Sequence, residues 1–332
     1  MSAKEMYQQL AEAVGTGQSK YIPGVFETLA DEDEARILLA ASPPATGEEL
    51  AEKTGLDPEK IEDMLDALFR KGLIFKSVKE TGTRYYRVRS VLQMHDATAV
   101  MVNPPQKMLD LWDRFMKEEF DDFSRKLEET LPQAVIRVIP VNVTIQPKTH
   151  ILAFDDVRNL VDEARSIAVT PCSCRVISGA PCEKPVEVCM QFNKAADYAV
   201  DRGTGRPLSK QEAIDMLKMC EEEGLIHVGD NRRSVGHVIC NCCSDCCLNW
   251  PSLRTGLGKF VVPSRFRAVV DADLCTACEM CVDRCQFDAV SLIDEIAVVD
   301  PEKCMGCGVC LVTCPTEAIS LEEARDEAFV PA

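Results

Sequence analysis

Residues 275–285 read CTACEMCVDRC and residues 304–314 read CMGCGVCLVTC, so the spacing C-x2-C-x2-C-x3-C occurs twice, with Pro315 after the second stretch. Thiols grouped this closely are typical of a metal centre, because thiolates are good ligands for soft metal ions. Structural zinc usually takes two C-x2-C pairs separated by a longer loop, which this spacing lacks. The two stretches therefore predict metal binding of another kind, with zinc and disulfides as the alternatives.

The sequence around the two stretches repeats as well. AVVD precedes each of them, at residues 268–271 and 297–300, while AVSL at 289–292 and AISL at 318–321 follow at matching positions. The repetition indicates an internal duplication. Each half is predicted to consist of a strand, a cysteine loop, a short helix and a second strand.

This part of the chain, about residues 266–322, resembles the bacterial two-cluster ferredoxins. In that family the fourth cysteine of each run ligates the cluster of the other run. The resemblance implies two [4Fe–4S] clusters, the first held by Cys275, Cys278, Cys281 and Cys314, and the second by Cys304, Cys307, Cys310 and Cys285. Gln286 departs from the family pattern, which usually has proline after the fourth cysteine of the first run.

The location of the cysteines also bears on the redox compartment. All 18 lie between Cys172 and Cys314. The N-terminus, MSAKEMYQQL, lacks the basic region and apolar stretch of a signal peptide, and no apolar run approaches the length that crosses a bilayer. We therefore expect a cytoplasmic protein, in which clustered thiols bind metal rather than form disulfides.

A second group of cysteines precedes the ferredoxin-like part. It comprises a C-x-C-x7-C-x6-C set, Cys172, Cys174, Cys182 and Cys189, and the run CNCCSDCC, with Cys240, Cys242, Cys243, Cys246 and Cys247. These segments are similar to parts of uncharacterised iron–sulfur proteins of anaerobes. We expect two further [4Fe–4S] clusters, one on the first set and one on four thiols of the second. Adjacent strand residues point to opposite faces, so ligands can also be exchanged between the segments.

Other assignments remain open for this middle group: a single additional or unusual cluster, zinc, or a redox dithiol. Arg175 is a candidate to bind a cluster by donating to a sulfide, which would raise the reduction potential; a surface ion pair is the alternative. Cys220 is predicted to be a small buried residue of a helix. His237 is predicted to be a surface or hydrogen-bonded histidine rather than a ligand.

Residues 1–95 are predicted to form a helical domain, with a break at Pro23-Gly24. Residues 33–92 resemble a winged helix-turn-helix domain: Thr46 and Glu49 form a capping box, and Asp57 caps a second helix. Residues 57–71, in the position of a DNA-reading helix, carry five acidic and three basic side chains. Although the predicted wing is basic, a docking or structural module is therefore expected, and nucleic acid is not an expected partner.

Residues 96–262 are predicted to form a middle α/β domain that carries the second cysteine group, and residues 263–332 the ferredoxin-like domain. The middle domain should contain an amphipathic helix at 106–130, strands at 135–139, 150–154, 167–169 and 225–228, and helices at 156–166 and 210–222, the last opened by a Ser209–Glu212 capping box. The fold class expected for the whole chain is α+β.

The net charge and the motifs of the sequence limit the classes of partner and cofactor that are expected. The formal net charge is −17, which disfavours polyanionic partners and favours basic protein surfaces. Residues 265–327 hold fourteen acidic against five basic side chains, so we expect low reduction potentials. No nicotinamide or flavin fingerprint is present.

The function expected from these observations is single-electron transfer to or from an anaerobic oxidoreductase. The partner would be a flavoprotein, a ferredoxin or an oxidoreductase subunit, in a larger complex or a homo-oligomer. An enzyme whose middle cluster binds substrate and an iron–sulfur transcription regulator remain alternatives.

Overall fold

The computed structural model describes residues 1–80, 82–144, 152–250 and 260–332. These residues form two compact units. The first consists of Met1–Phe123, Ser173–Ala180 and Arg202–Thr204, and the second of Ser124–Cys172, Pro181–Asp201 and Gly205–Ala332. In the described ranges, no helix is both long enough and apolar enough to span a membrane.

The helices are α1 (Ala3–Ala13), α2 (Ile22–Leu29), α3 (Glu32–Ala40), α4 (Gly47–Thr54), α5 (Pro58–Lys71), α6 (Val91–Ala99), α7 (Gln106–Glu118), α8 (Phe120–Thr130), α9 (Val157–Glu163), α10 (Ser173–Ser178), α11 (Lys194–Asp201), α12 (Lys210–Glu222), α13 (Met280–Arg284) and α14 (Val309–Val312). The strands are β1 (Ile74–Lys79), β2 (Gly82–Arg87), β3 (Ile136–Val138), β4 (Ile167–Pro171), β5 (Glu187–Phe192), β6 (Arg206–Pro207), β7 (Ile226–Asp230), β8 (Val238–Cys242), β9 (Val261–Val262), β10 (Phe266–Val270), β11 (Val290–Ile293), β12 (Ile296–Val299) and β13 (Ile319–Glu323). Short 3-10 turns occur at Ala153–Asp155 and Glu327–Phe329.

The capping boxes expected from the sequence open their helices. The side chains of Thr46 and Glu49 cap each other's backbone N–H groups at the start of α4, and Ser209 does the same with Glu212 at the start of α12. Gly72 ends α5 in the left-handed conformation that glycine adopts without strain. These local predictions are confirmed. They could be made from the sequence because a capping box involves only residues a few positions apart.

Three expectations were wrong in detail. Pro23 and Gly24 lie in the first turn of α2 rather than in a helix break, since proline fits a first turn. The predicted helix at 106–130 is two helices, which separate at Glu119. The predicted strand at 150–154 overlaps a 3-10 turn at Ala153–Asp155, and its residues 150 and 151 lie outside the described residues.

In the first unit, the early helices pack around an apolar core and precede an antiparallel hairpin. The core-facing residues Ile61, Leu65, Leu68 and Phe69 of α5 are buried, as the periodicity predicted. Strands β1 and β2 pair from Ile74–Arg87 to Lys79–Gly82, and Ala45 bridges to Tyr85. The indole N–H of Trp112 on α7 donates to Thr98 Oγ1, which satisfies this buried polar group.

In the second unit, seven strands of the described residues form one sheet in the order β6-β4-β5-β8-β7-β3-β9. All its pairings are antiparallel except β3 with β9. One face packs on an apolar core that includes Val161, Val169, Met190, Leu217 and Ile239. The sheet therefore supports α9 and α12 on this face.

The C-terminal part of the second unit contains the duplicated segment. Strand β10 pairs with β13, and β11 pairs with β12, so that outer strands and inner strands form separate two-stranded sheets. Each half is a strand, a cysteine loop, a short helix and a strand, as the internal repeat predicted. The protein is thus a mixed α and β structure with its sequence repeat at the C-terminal end.

Candidate metal centres

The first cysteine quartet surrounds one cavity. Its lining includes the thiols of Cys275, Cys278 and Cys281, from the first run, and that of Cys314, from the end of the second run. The empty volume is about 340 Å³, including its open mouth. Four thiols from both repeats therefore converge on one space, and this soft donor set fits an iron–sulfur cluster.

The other four thiols of the repeat form a second group. Cys285, Cys304 and Cys310 pack in one cluster, and the charges of Cys285 and Cys304 help to raise the pKa of Cys307 as well as that of Cys310. Cys285 comes from the first run, so each run contributes its last cysteine to the other group. Cys281 and Cys310 are buried in the same hydrophobic cluster, so the two groups approach each other there.

The two cysteine loops have matching backbones. Positive φ angles occur at Ala277 and Glu279 in the first loop, and at Gly306 and Gly308 in the second. Ala277 corresponds to Gly306, and Glu279 to Gly308. The left-handed conformation therefore follows from the cysteine spacing itself, and the first loop adopts it without glycine despite the cost to other residues.

The thiols of the repeat differ in pKa, in part because they differ in burial. Burial raises the pKa of the Cys307 thiol to about 12, and it also raises the pKa of Cys310. Hydrogen bonds from the backbone N–H groups of Ala297 and Ala277 lower the pKa of Cys275. Buried thiols are costly to ionise alone, so binding of a cationic metal supplies the energy for their deprotonation.

The second loop is covered by two other segments of the second unit. The backbone N–H of Val141 donates to the carbonyl of Cys307 at 2.8 Å, and that of Ser264 donates to the carbonyl of Met305 at 3.0 Å. A Cβ at Gly306 would overlap the carbonyl oxygen of Phe266. Glycine is required here by close packing, in addition to the backbone angle.

The middle cysteines form two groups. The Cys243 group consists of Cys182, Cys243 and Cys246, whose sulfur atoms all lie within 4.8 Å of one another. The Cys242 group consists of Cys240, Cys242 and Cys247, where the Cys242 thiol hydrogen-bonds the other two. The Cys243 group is compact enough to hold a metal ion. The structure thus places Cys182, from the first cysteine set, with two thiols of the second.

The remaining predicted residues lie as follows. Cys172 packs beside the Cys243 group, as does Cys220, which is fully buried on α12 as expected. Cys189 lies on β5, and Gln191 Nε2 donates to its sulfur at 3.2 Å. Cys174 and Arg175 lie on α10 in the first unit. Arg175 is 1% exposed, so the alternative that it forms a surface ion pair is wrong.

His237 is an exposed residue with a carboxylate partner. Its ring Nδ1 lies 3.3 Å from Asp230 Oδ2, and its side chain is 62% exposed. The expectation of a surface, hydrogen-bonded histidine is confirmed by this contact.

Sequence reasoning missed the role of Gln286. Its amide oxygen accepts from the backbone N–H of Ser244 at 2.7 Å, and its amide nitrogen donates to the carbonyl of Gly224. The only sequence signal was that glutamine stands where the ferredoxin pattern has proline. That departure marks a residue that joins the first cysteine run to the middle of the chain.

A second missed feature is the anchor around Glu221. Its carboxylate accepts hydrogen bonds from the backbone N–H groups of Asn142, Val143 and Thr144, the segment after Val141. Burial raises the pKa of Glu221, but hydrogen bonds from His227 and Thr144 outweigh this and lower it to about 2. This carboxylate therefore holds the segment that covers the second loop.

Comparison with known families agrees with the repeat. The 4Fe-4S binding domain family matches residues 268–291 and 297–320. The matched segments contain all eight cysteines of the two runs. No curated protein and no solved structure matches the chain. The C-terminal segment is thus of the 4Fe-4S binding type.

Proposed function

We propose that this protein relays single electrons through several [4Fe–4S] clusters to or from an oxidoreductase partner. The observation that carries the proposal is the cavity shared by Cys275, Cys278, Cys281 and Cys314, because thiols from both repeats converge there. The family match at residues 268–320 supports it. Bound clusters would supply the one-electron chemistry, while the protein supplies ligands, spacing and docking surfaces.

The proposed ligand sets follow from the two groups of the repeat. The first cluster would take the four thiols of the shared cavity, and the second would take Cys285, Cys304, Cys307 and Cys310. The exchange of the last cysteine between runs joins the two halves. Because Cys281 of the first group and Cys310 of the second are buried in one hydrophobic cluster, they would bring the two clusters close together.

The partner is proposed to dock beside Cys278, the exposed cysteine of the repeat. Leu274 and Met280 near it are 44% and 46% exposed, and each directly follows an acidic residue in the sequence, Asp273 and Glu279 respectively. An apolar centre with acidic neighbours suits a partner that has a basic rim. A flavoprotein, a ferredoxin or an oxidoreductase subunit fits this description.

Cysteine exchange between the runs can be tested directly on anaerobically prepared protein. Cys314→Ser should remove the EPR signal of one cluster and Cys285→Ser that of the other, each with a loss of about four irons per chain. The control is Cys220→Ala, which lies outside the repeat. Zinc in place of iron, or full iron retention in both variants, would contradict the proposal.

The electron-transfer role is tested with donors and DNA. The iron-loaded protein should be reduced by a flavoprotein or a ferredoxin and should pass one electron per cluster to an acceptor. Spectral changes with a small substrate, in the absence of any partner, would favour an enzyme instead. Retardation of DNA that depends on cluster content would favour a regulator.

The N-terminal helices and hairpin are proposed to form a winged-helix-like docking or structural module. Helix α5 exposes Glu59, Glu62, Asp63 and Asp66 to solvent. Acidic side chains on this helix repel the phosphates of DNA. If the basic side chains of the hairpin alone bound DNA, moderate salt would abolish that binding. A retardation assay at increasing salt measures this.

A further inference from the structure

The thiols of Cys242 and Cys243, at the end of β8, pack against different residues. Consecutive strand residues point to opposite faces. Cys242 is the last residue of β8 and lies with Cys240, two positions earlier on the same face. Cys243 follows β8 and packs instead with Val188 and Leu225. Strand geometry therefore divides the run CNCCSDCC between two places.

Strand pairing assigns Cys189 to the side of Cys242. Strands β5 and β8 pair antiparallel, with Met190 opposite Ile239. Continued by one position, this register would place Cys189 opposite Cys240, and residues opposite each other in an antiparallel pair share a face. Cys182 lies elsewhere, in the Cys243 group. The set C-x-C-x7-C-x6-C is thus split as well.

The Cys243 group has the properties of a soft-metal site. Its members are sulfur donors only, and Cys243 and Cys246 are 3% and 5% exposed. Three thiols so close together repel each other when ionised, so a bound cation is the natural way to stabilise them. Cys172, half-buried, packs against the same core and can supply a fourth thiolate.

Contacts join this group to the turn that follows Cys285. Gln286 accepts from the N–H of Ser244, the residue directly after Cys243. The ring of Phe287, which directly follows Gln286, stacks on the ring of Trp250, with centroids 4.9 Å apart and planes at 15°. Arg284, just before Cys285, donates to the carbonyl of Glu221 at 2.8 Å. The turn is therefore held from both sides of Cys285.

We propose that the Cys243 group, completed by Cys172, holds an iron–sulfur centre that Gln286 keeps next to the second ferredoxin quartet. A separate centre would be held on the other side of β8 by the Cys242 group with Cys189. The assignment of iron rests on the proposed function, whereas the division of the thiols rests on geometry alone. The middle centres are thus built across the two cysteine segments rather than one from each.

Ligand variants of the full-length, anaerobically prepared protein test the division. Cys182→Ser and Cys243→Ser should remove the same EPR signal and the same number of irons per chain. Cys189→Ser and Cys242→Ser should remove a different signal. Cys220→Ala, which packs on the same core, is the matched control and should keep both signals. The ferredoxin signals, retained in every variant, would show that the chain has folded.

The division is overturned if Cys182→Ser and Cys189→Ser remove one signal together while Cys243→Ser removes another. Loss of iron in Cys220→Ala would show that the ligand set is wrong, and zinc in the Cys243 group would refute its iron–sulfur class. Failure of the proposed function would differ, because then the ferredoxin quartets themselves would hold no iron. If a variant does not accumulate, alkylation of the wild-type protein during stepwise iron removal gives the same answer: Cys182 and Cys243 should become labelled together.

The position of Gln286 is tested by magnetic coupling. Gln286→Leu should keep the full iron content but lose the spin–spin broadening between the second ferredoxin cluster and the Cys243 centre. Gln211→Leu, on the exposed side of α12, is the control and should leave the broadening unchanged. Broadening that is the same in both variants would overturn the positioning role.

Discussion

The two cysteine loops have the same spacing and the same backbone conformation, yet they differ in their contact with solvent. In the first loop, Cys278, Glu279 and Met280 are exposed. In the second loop, residues 305–310 are all buried. A duplicated motif can therefore produce two ligand sets of equal chemistry and unequal access. We expect the first loop to exchange electrons with redox partners and the second loop to exchange them with sites inside the protein.

The largest effect is expected from Gly306→Ala, which attacks the buried loop at its closest contact. The added Cβ would overlap the Phe266 carbonyl, so the loop must shift and the second cluster should be lost, with about four irons per chain. The matched change in the exposed loop, Ala277→Gly, should keep all iron. Iron analysis and EPR measure both, and a Gly306→Ala protein with full iron would show that burial of this loop is not the determining factor.

A second effect concerns the cover of the buried loop. Glu221→Gln should lower the free energy of unfolding at pH 7 by about 3 kcal/mol, because the carboxylate pKa shifts from 4.5 to about 2 on folding. A lowered carboxyl pKa stabilises the fold above pH 4.5, and this contribution is lost as pH falls from there towards 2. The difference from wild type should therefore be present at pH 7 and should disappear as the pH falls from 4.5 towards 2.

Urea unfolding of the two proteins measures this difference. The exposed neighbour provides the control, since Glu222→Gln should change the stability by less than about 0.5 kcal/mol. A difference that grows or shrinks between pH 7 and 5.5 would mean that another group titrates with Glu221.

The third expectation is an order of reduction potentials. Adding an electron makes a cluster more negative, and a buried site with little water stabilises that charge less well. The second cluster should therefore have the lower potential, and both should lie below about 0 mV because of the acidic surroundings. A redox titration followed by EPR measures this order, with Cys314→Ser and Cys285→Ser to assign the signals. Equal potentials or the opposite order would mean that the difference in access does not determine the potentials.

The smallest effect is kinetic. Glu279→Gln should slow the reduction of the first cluster by the cationic methyl viologen radical about twofold at low salt, because one attractive charge beside Cys278 is removed. The effect should vanish at high salt. Glu302→Gln, an exposed acid just before the second loop, is the control in stopped-flow measurements. Equal slowing in both variants would mean that the field of the whole protein, rather than access at the first loop, governs the rate.

Much of the local structure could be predicted from the sequence. The cap of α4 by Thr46 and the buried face of α5 depend on residues within a few positions of each other, so a linear pattern suffices. The break in the helix predicted at 106–130 could not be foreseen. The apolar pattern continues across Glu119, whereas the helical backbone conformation stops there. Short-range patterns predict which residues are apolar-facing better than they predict where an element ends.

By itself the sequence determined the repeat, the 4Fe-4S binding character of residues 268–320 and the number of thiols that are available, because cysteine spacing dictates how short loops can present sulfur. Only the tertiary structure decided that Cys182 lies with Cys243, that Gln286 contacts Ser244 and that one cysteine loop is buried while the other is exposed. The physical reason is that these relations depend on strand pairing and on contacts between residues that are far apart in the chain. A sequence pattern carries no information about which distant segment will cover it.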